Sequence, residues 1–554
     1  MHTKQRSVVN KILFLFCFVI GVPVLVNAQI NEPSNNAVFP YLARMAQKGL
    51  IEWRDYILPI DRNTIVESLV ELHKKKEKLS HTELKELNFF LQEFYFDKSN
   101  ILPEDTALFQ QNILSKDVAK RFRAYGARQS SFSLYADPQF GTRYTKYSFG
   151  RNNLQYYNGL RLYGKLGNKF GFQISFKDFT EKGDSLLDEN SFNPNQGFIA
   201  QKRSAREVNY SMLNFSLSYK FKKGQVSIGK ENITWGYGES GKLVLSDKSP
   251  SIPYLRFDIL PFKWLHFNYF AGTLHSNIID SSRTYVTGTG LNGGIREVYR
   301  SKYLFNHSIT LTPWKGINFS FGESIVVSDK FDPAYLIPIN FFRPYDHYAS
   351  RQNSNASSNA QIFMMFSSRN NIKNTHVYAK LFIDELRLST LFDTKNNRNQ
   401  VGYCVGASVT DVGVNYLTIG AEYTHINPYV YNNLIPTVNY TNHDYLLGDW
   451  MGQNADRVIL FVKHTPIARL KCKANFQFIR KGESAILLSN QFVGGSPTFL
   501  YKKLFSQTDL SLEASYQLIH TLNFFGSVNY QKRFFENSQS INVNSICFGF
   551  TYGW

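Results

Sequence analysis

Residues 542–554 read NVNSICFGFTYGW. In an extended chain Ile546, Phe548, Phe550, Tyr552 and Trp554 fall on one side, and Ser545, Cys547, Gly549, Thr551 and Gly553 on the other. This is strict period-two alternation, the spacing of a β-strand with one apolar face. A soluble sheet buries such a face under a second layer. A membrane barrel turns it to lipid and keeps the small, polar face for its lumen.

The same alternation recurs through the chain. Leu213, Phe215, Leu217, Tyr219 and Phe221 alternate with Asn214, Ser216, Ser218 and Lys220. Phe170, Phe172, Ile174 and Phe176 alternate with Gly171, Gln173 and Ser175, and Leu510, Leu512, Ala514, Tyr516 and Leu518 with Ser511, Glu513, Ser515 and Gln517. Short turn signals, such as Gly167-Asn168, residues 222–224, 312–316 and 411–416, alternate with longer segments, such as 178–208, 232–251, 276–302, 329–358, 427–456 and 483–502. Short and long connections in turn suit an antiparallel barrel with periplasmic turns and extracellular loops, here of about 18 strands. The terminal aromatic resembles the C-terminal signal read by the outer-membrane barrel assembly machinery, an expected partner.

Composition agrees. Aromatics make up 16% of the 554 residues and charged residues only 19%, and no apolar run after the N-terminus approaches the length of a membrane helix. Lys4, Arg6 and Lys11, the apolar run 12–26 and Val26-Asn27-Ala28 before Gln29 read as a signal peptide. The formal charge is +19; without those three leader cations it is +16, and the leader carries no acid. A basic exported chain favours anionic envelope partners, namely lipopolysaccharide and acidic polysaccharide, over nucleic acid. The mature cysteines Cys404, Cys472 and Cys547 are odd in number and lack ligand spacing, so each reads as a small apolar residue.

Residues 38–97 differ from the rest. Leu42, Met45 and Ala46 recur at helical spacing before Gly49. Thr64…Glu67 and Ser80…Glu83 have capping-box spacing, each before an apolar helical face. The expected organisation is a signal peptide at 1–28, a periplasmic helical region and connector at 29–127, and an outer-membrane β-barrel at 128–554. The fold class is mainly β, a transmembrane antiparallel barrel with a small N-terminal periplasmic α-helical domain. One residue conflicts with the pattern: Glu323 falls on the lipid face set by Ile317, Phe319, Phe321, Ile325 and Val327. A carboxylate there is costly, so a β-bulge or a place near the rim is expected.

Trp235–Gly241, WGYGESG, imitates two nucleotide motifs. Gly236, Gly238 and Gly241 match the dinucleotide fingerprint, and Gly236…Gly241-Lys242 nearly matches a P-loop. Leu243 stands where the P-loop needs Ser or Thr, and no βαβ unit follows. No HExxH or GxSxG motif occurs, and His307, His347, His425 and His443 are scattered. No catalytic residue, metal or cofactor is expected, and the chain reads as a non-enzyme.

The segment 235–257, WGYGESGKLVLSDKSPSIPYLRF, resembles a signature stretch of the Wzi family of capsule-assembly outer-membrane proteins. Further similarities follow in order: Asn306-His307, Gly322-Glu323-Ser324, Asp332-Pro333 with Tyr335-Leu336 and Pro338, residues 378–385 (YAKLFIDE), Glu422-Tyr423-Thr424-His425, Asn427-Pro428 with Tyr431, and Leu447-Gly448. Tyr237, where many members have Pro, and Asp247-Lys248-Ser249, where many have an Asn-Ala pair, depart from the pattern. The resemblance implies a plugged barrel with a periplasmic helical bundle. It also implies a surface lectin that attaches or assembles capsular polysaccharide or exopolysaccharide, acting as a monomer in outer-membrane lipid. Sugars are recognised by aromatic faces and planar polar groups. The candidate polysaccharide-binding residues in outer loops are therefore Trp235, Tyr237, Arg343, Tyr345, Arg351, Tyr429, Tyr431 and Trp450. Inward residues of both signs, Arg161, Lys165, Glu422 and Glu513, leave a porin or polysaccharide export channel as the alternative.

Overall fold

The structure is a computed structural model that describes residues 29–98, 109–117, 119–129, 132–167, 169–187, 190–288, 293–352, 357–386, 399–484, 497–536 and 539–553. The signal-peptide reading and Trp554 lie outside these residues. Eighteen long strands form one closed barrel. They are β1 (Phe132–Tyr147), β2 (Asn152–Leu166), β3 (Phe170–Gly183), β4 (Glu207–Phe221), β5 (Gly224–Glu231) and β6 (Ile252–Phe262). Next come β7 (Leu265–Ile279), β8 (Tyr299–Leu311), β9 (Ile317–Ser328), β10 (Ser357–Arg369), β11 (Thr375–Glu385) and β12 (Gln400–Thr410). The last are β13 (Leu417–Ile426), β14 (Ala455–His464), β15 (Leu470–Gly482), β16 (Lys503–Ile519), β17 (Leu522–Phe535) and β18 (Ile541–Tyr552). Each pairs antiparallel with its sequence neighbours, and β18 returns to β1, where Ile546 faces Lys146 and Tyr552 faces Phe140.

The two strand faces sort as alternation requires. Leu213, Phe215 and Leu217 of β4 are exposed on the outer wall, whereas Ser216 and Ser218 between them are buried inside. Ile546 and Phe548 of β18 likewise point out. The strands join by short turns at one end and mostly by long loops at the other. Two connections at the long-loop end, 148–151 and 536–540, are short, because β1–β2 and β17–β18 are simple hairpins.

Three helices close the short-turn end: α1 (Val38–Gln47), α2 (Arg62–Lys74) and α3 (His81–Glu93), followed by the single turn α4 (Tyr95–Lys98). Gly49, at φ +73°, follows the end of α1. Ser80 and Glu83 form the expected capping box on α3. The α2 cap falls earlier than the Thr64…Glu67 spacing suggests. Asp61 accepts from the Thr64 backbone N–H at 3.0 Å, and an aspartate ahead of the threonine captures the free amides first. The bundle core, including Leu42, Met45, Leu69, Leu87 and Phe90, extends onto Tyr416 in the β12–β13 turn.

Charge fixes the bundle to the barrel. Arg44 lies over the Tyr416 ring at 3.8 Å and binds both Glu83 and Asp411, and Lys48 binds Glu83 at 2.6 Å. At Glu83 burial opposes ionisation, but Arg44, Lys48 and the Ser80 amide outweigh it and hold the carboxyl below its ordinary value of 4.5. A depressed pKa contributes stability that is fully present above 4.5 and lost as pH falls through the lower native value. Protease cleavage of the bundle in the folded chain should therefore rise only as pH falls below 4.5. A flat profile from pH 7 to pH 3 would contradict this.

Glu323 sits in an unshifted register, opposite His307 on β8 and Ile362 on β10, so no bulge turns it inward. It is nevertheless buried. Residues 331–345, from the β9–β10 loop, fold back over the outside of the barrel and cover it.

Candidate functional site

The lumen between β5 and β15 is packed with protein. Segment 233–245, segment 430–451 and Tyr56-Ile57 of the N-terminal region meet in one apolar cluster with inward residues such as Phe270, Phe363 and Phe382. Thr234-Trp235 pairs as a two-residue strand with Ile57-Leu58. The plug is thus built from both ends of the barrel.

This packing accounts for the three glycines that imitate nucleotide motifs. Gly236 and Gly238 have φ of +115° and +133°, where side chains are rarely tolerated. Gly241 has no such torsion; a Cβ there would lie 2.2 Å from Asp449 Oδ2. The pattern records a tight fold against a carboxylate. That carboxylate is half of a buried pair: Arg457 of β14 donates through both terminal nitrogens to Asp449, at 3.2 and 2.9 Å. Glu422 of β13 accepts from Tyr378 Oη at 2.6 Å and from the Glu239 amide at 2.8 Å. Glu239 itself binds Lys463 and Lys473 at 2.8 and 2.9 Å. These charges pin the plug to the wall. Among them Glu239 and Glu422 stood in motifs recognisable from sequence; Asp449 and Arg457 carry no local signal because their contact spans the lumen.

The candidate sugar-binding aromatics are inside this plug. Trp235 is 1% exposed, with its ring edge toward Phe363. Tyr237 is wedged among Tyr56, His376 and Tyr378. Tyr431 donates from Oη to Leu243 O at 2.8 Å and stacks on Tyr440. Trp450 donates from Nε1 to Ser240 O at 2.7 Å, lies against Phe192, and has Arg457 over its ring. Tyr429 is also buried, its amide donating to Gln453 Oε1 at 2.7 Å. The structure therefore brings Trp235, Tyr237, Tyr431 and Trp450 together as packing, with their rings against other protein rings, and buries Tyr429 beside that cluster. Burial of large aromatic area outcompetes display at the surface.

Arg343, Tyr345 and Arg351 are elsewhere. They lie on α5 (Phe342–Gln352), in the segment folded over the outer wall. Tyr345 donates to Asp332 Oδ2 at 2.6 Å, and Arg343 is half-buried. The Arg351 side chain falls outside the described residues. Among the inward charges, Arg161 pairs with Glu32 at 3.4 Å and Lys165 with Asp97 at 3.7 Å, while Glu513 is exposed.

A different cluster is open to solvent at the long-loop end. His275 and His443 stack at 4.3 Å with rings 5° from parallel, and the half-exposed Tyr299 ring lies 4.7 Å from His275. His443 and Asp444 both adopt positive φ in the two-residue turn between Thr441-Asn442 and Tyr445-Leu446. That turn aims Asp444 at Asn277, which donates to it at 2.5 Å. Arg300 binds Asp329 at 3.0 Å nearby and remains 42% exposed. Burial, then His275, push the His443 imidazole down to about 4, so the stacked ring is neutral at physiological pH. The histidine stack joins residues 168 positions apart and had no local signature in the sequence.

Among the described residues no group of three or more His, Cys, Asp or Glu is arranged to hold a metal ion, and Cys404, Cys472 and Cys547 are free thiols.

Fold and site together define a plugged transmembrane β-barrel. The sequence matches the family described as "Capsule assembly protein Wzi" over residues 151–533, and the chain belongs to that family. Among solved structures it is similar to the Escherichia coli outer-membrane protein Wzi, described as involved in group 1 capsule assembly and as a carbohydrate-binding β-barrel. Identity is 12% and the TM-score 0.56, covering 95% of this chain and 99% of that one. Lesser similarities are to Pseudomonas aeruginosa OccK5 (10% identity, TM-score 0.41, 76% and 98% coverage) and OccD3 (10%, 0.43, 76% and 91%). Comparison with curated proteins finds no match.

Proposed function

We propose that this capsule-assembly barrel is a surface lectin that retains a capsular polysaccharide or exopolysaccharide, and that the ligand docks at the long-loop mouth. The observation that carries this is the exposed cluster of Tyr299, His275 and His443 beside Asn277, Asp444 and Arg300. It combines neutral aromatic faces for C–H surfaces with planar amide, carboxylate and guanidinium groups for hydroxyls and acidic substituents. The E. coli relative, described as binding carbohydrate, supports the same chemistry. In this reading Trp235, Tyr237, Tyr429, Tyr431 and Trp450 shape the platform beneath the ligand without touching it. The long-loop end faces outward, the helical bundle lies in the periplasm, and the chain acts as a monomeric binding protein without catalysis.

Each exposed aromatic or cationic contact contributes about 0.5–1 kcal/mol, so retention depends on many copies engaging one polymer. Combining Tyr299→Ala, His443→Ala and Arg300→Ala should leave an assembled barrel and release cell-associated polysaccharide into the medium. The measurement is the ratio of bound to shed polysaccharide at matched barrel abundance, beside a full deletion. An unchanged ratio in both strains would refute the lectin reading. Release in the deletion alone would refute the placement at the mouth.

A further inference from the structure

The β9–β10 loop does not stay at the mouth. Tyr269, Phe305, Ile325 and Val327 point out of the barrel wall and are buried under Tyr335 and Phe342. Phe342 opens α5, and its amide donates to Glu323 Oε2 at 2.7 Å. His307 Nε2 lies 3.3 Å from the same oxygen, and its Nδ1 lies 3.0 Å from Pro338 O. The segment thereby closes over the outward-facing carboxylate and imidazole.

How high this cover sits follows from strand geometry. A strand tilted by about 40° climbs roughly 2.6 Å per residue, so a hydrocarbon band about 25 Å tall spans about ten residues. Trp264 and Trp314, both more than half exposed at the short-turn end, mark one interface as an aromatic girdle. Counting up β8 from Leu311, His307 is about 10 Å and Phe305 about 16 Å into the band. The cover therefore lies alongside lipid, above the bare, lipid-facing Phe319 and Phe321.

Its own outer surface fits that place. Residues 333–342, PAYLIPINFF, carry no charge, and Asp332 and Arg343 bracket them. Ile337, Ile339 and Phe341 are 52%, 78% and 59% exposed, continuing the apolar belt of the wall. Part of the backbone is paired locally, Ile337 N–H to Ala334 O at 3.2 Å and Asn340 N–H to Ile337 O at 3.0 Å, while Pro333 and Pro338 have no N–H to satisfy. Such pairing is what irregular chain needs against hydrocarbon.

We propose that residues 333–342 form a flap immersed in the leaflet nearer the long loops, with lipid acyl chains as the partner of Ile337, Ile339 and Phe341. The flap replaces lipid over β7–β9 and shields Glu323 and His307 from it. This stands apart from the polysaccharide reading.

The test places the photo-crosslinker p-benzoylphenylalanine at Ile339, at Phe321 as a belt reference, and at Tyr285 as a loop reference. Each full-length chain is reconstituted in vesicles of phosphatidylethanolamine and phosphatidylglycerol, and the lipid adduct is measured by mass spectrometry. Adduct at Ile339 should match Phe321 and exceed Tyr285 by about tenfold, as the depth of the band predicts. Yield at the Tyr285 level, or a crosslink to a second copy of the chain, overturns the proposal. If the Ile339 position does not give a heat-modifiable barrel, Ile337 carries the same test with the same two outcomes.

Discussion

Removing residues 550–554 should abolish the assembled barrel. In the structure Phe550, Thr551 and Tyr552 pair with Thr142, Gly141 and Phe140 of β1 on one side and with Phe524, Asn523 and Leu522 of β17 on the other. They complete the seam that closes the sheet. Tyr552 also stacks on Phe140 at 5.0 Å and donates to Phe122 O at 3.2 Å, joining the seam to the connector before β1. Gly141 is set for this approach, since a Cβ there would lie 2.7 Å from Phe550 O. Truncation leaves an open strand edge in lipid, where each unpaired backbone group costs several kcal/mol. Unheated and heated samples should then migrate alike on a denaturing gel. Refolding into detergent micelles separates two causes. If closure is what matters, the truncated chain fails there as well as in cells. If only the assembly signal is lost, it refolds in micelles, and the structural argument fails.

The wall was readable from sequence because each strand reports its own environment. Leu213, Phe215 and Leu217 face lipid whatever their neighbours are, so period two suffices. Ser80 and Glu83 cap their helix for an equally local reason. The plug was not readable in this way. Trp235, Tyr431 and Trp450 have the composition of a sugar-binding surface and of a packed core alike, and only the folding of two distant loops into the lumen decides between them. Glu323 shows the same limit. Its parity correctly placed it on the outer face, but the segment that buries it is a loop whose direction no periodicity encodes. The mouth cluster depends on His275 and His443 meeting across the barrel opening, a contact set by the turn at His443-Asp444 and by the curvature of the whole sheet.

Replacing Arg457 with alanine should loosen the plug more than any other single truncation in it. Its guanidinium is fully buried, forks onto both oxygens of Asp449, lies 3.7 Å from Glu422 Oε1 and sits over the Trp450 ring at 5.3 Å. Asp449 in turn occupies the space left by Gly241 and accepts from the Met451 amide at 3.1 Å. The pair thus ties segment 447–451 and segment 235–241 to β14. Removing one partner of such a pair leaves an uncompensated buried charge, a loss of about 3–5 kcal/mol. Removing both, as Arg457→Met with Asp449→Leu, leaves no stranded charge and should cost much less, since buried ion pairs are often replaceable by apolar groups of similar volume. The order of stability expected in urea titrations is wild type, then the double variant, then Arg457→Ala. Planar-bilayer recordings give an independent measure. A filled lumen between β5 and β15 should conduct little, and Arg457→Ala should add brief openings as the two segments lose their tether, whereas the apolar double variant should stay quiet. Equal stability of Arg457→Ala and wild type would show that the plug is held by something other than this pair, and large steady steps from the wild type itself would show that the lumen is open.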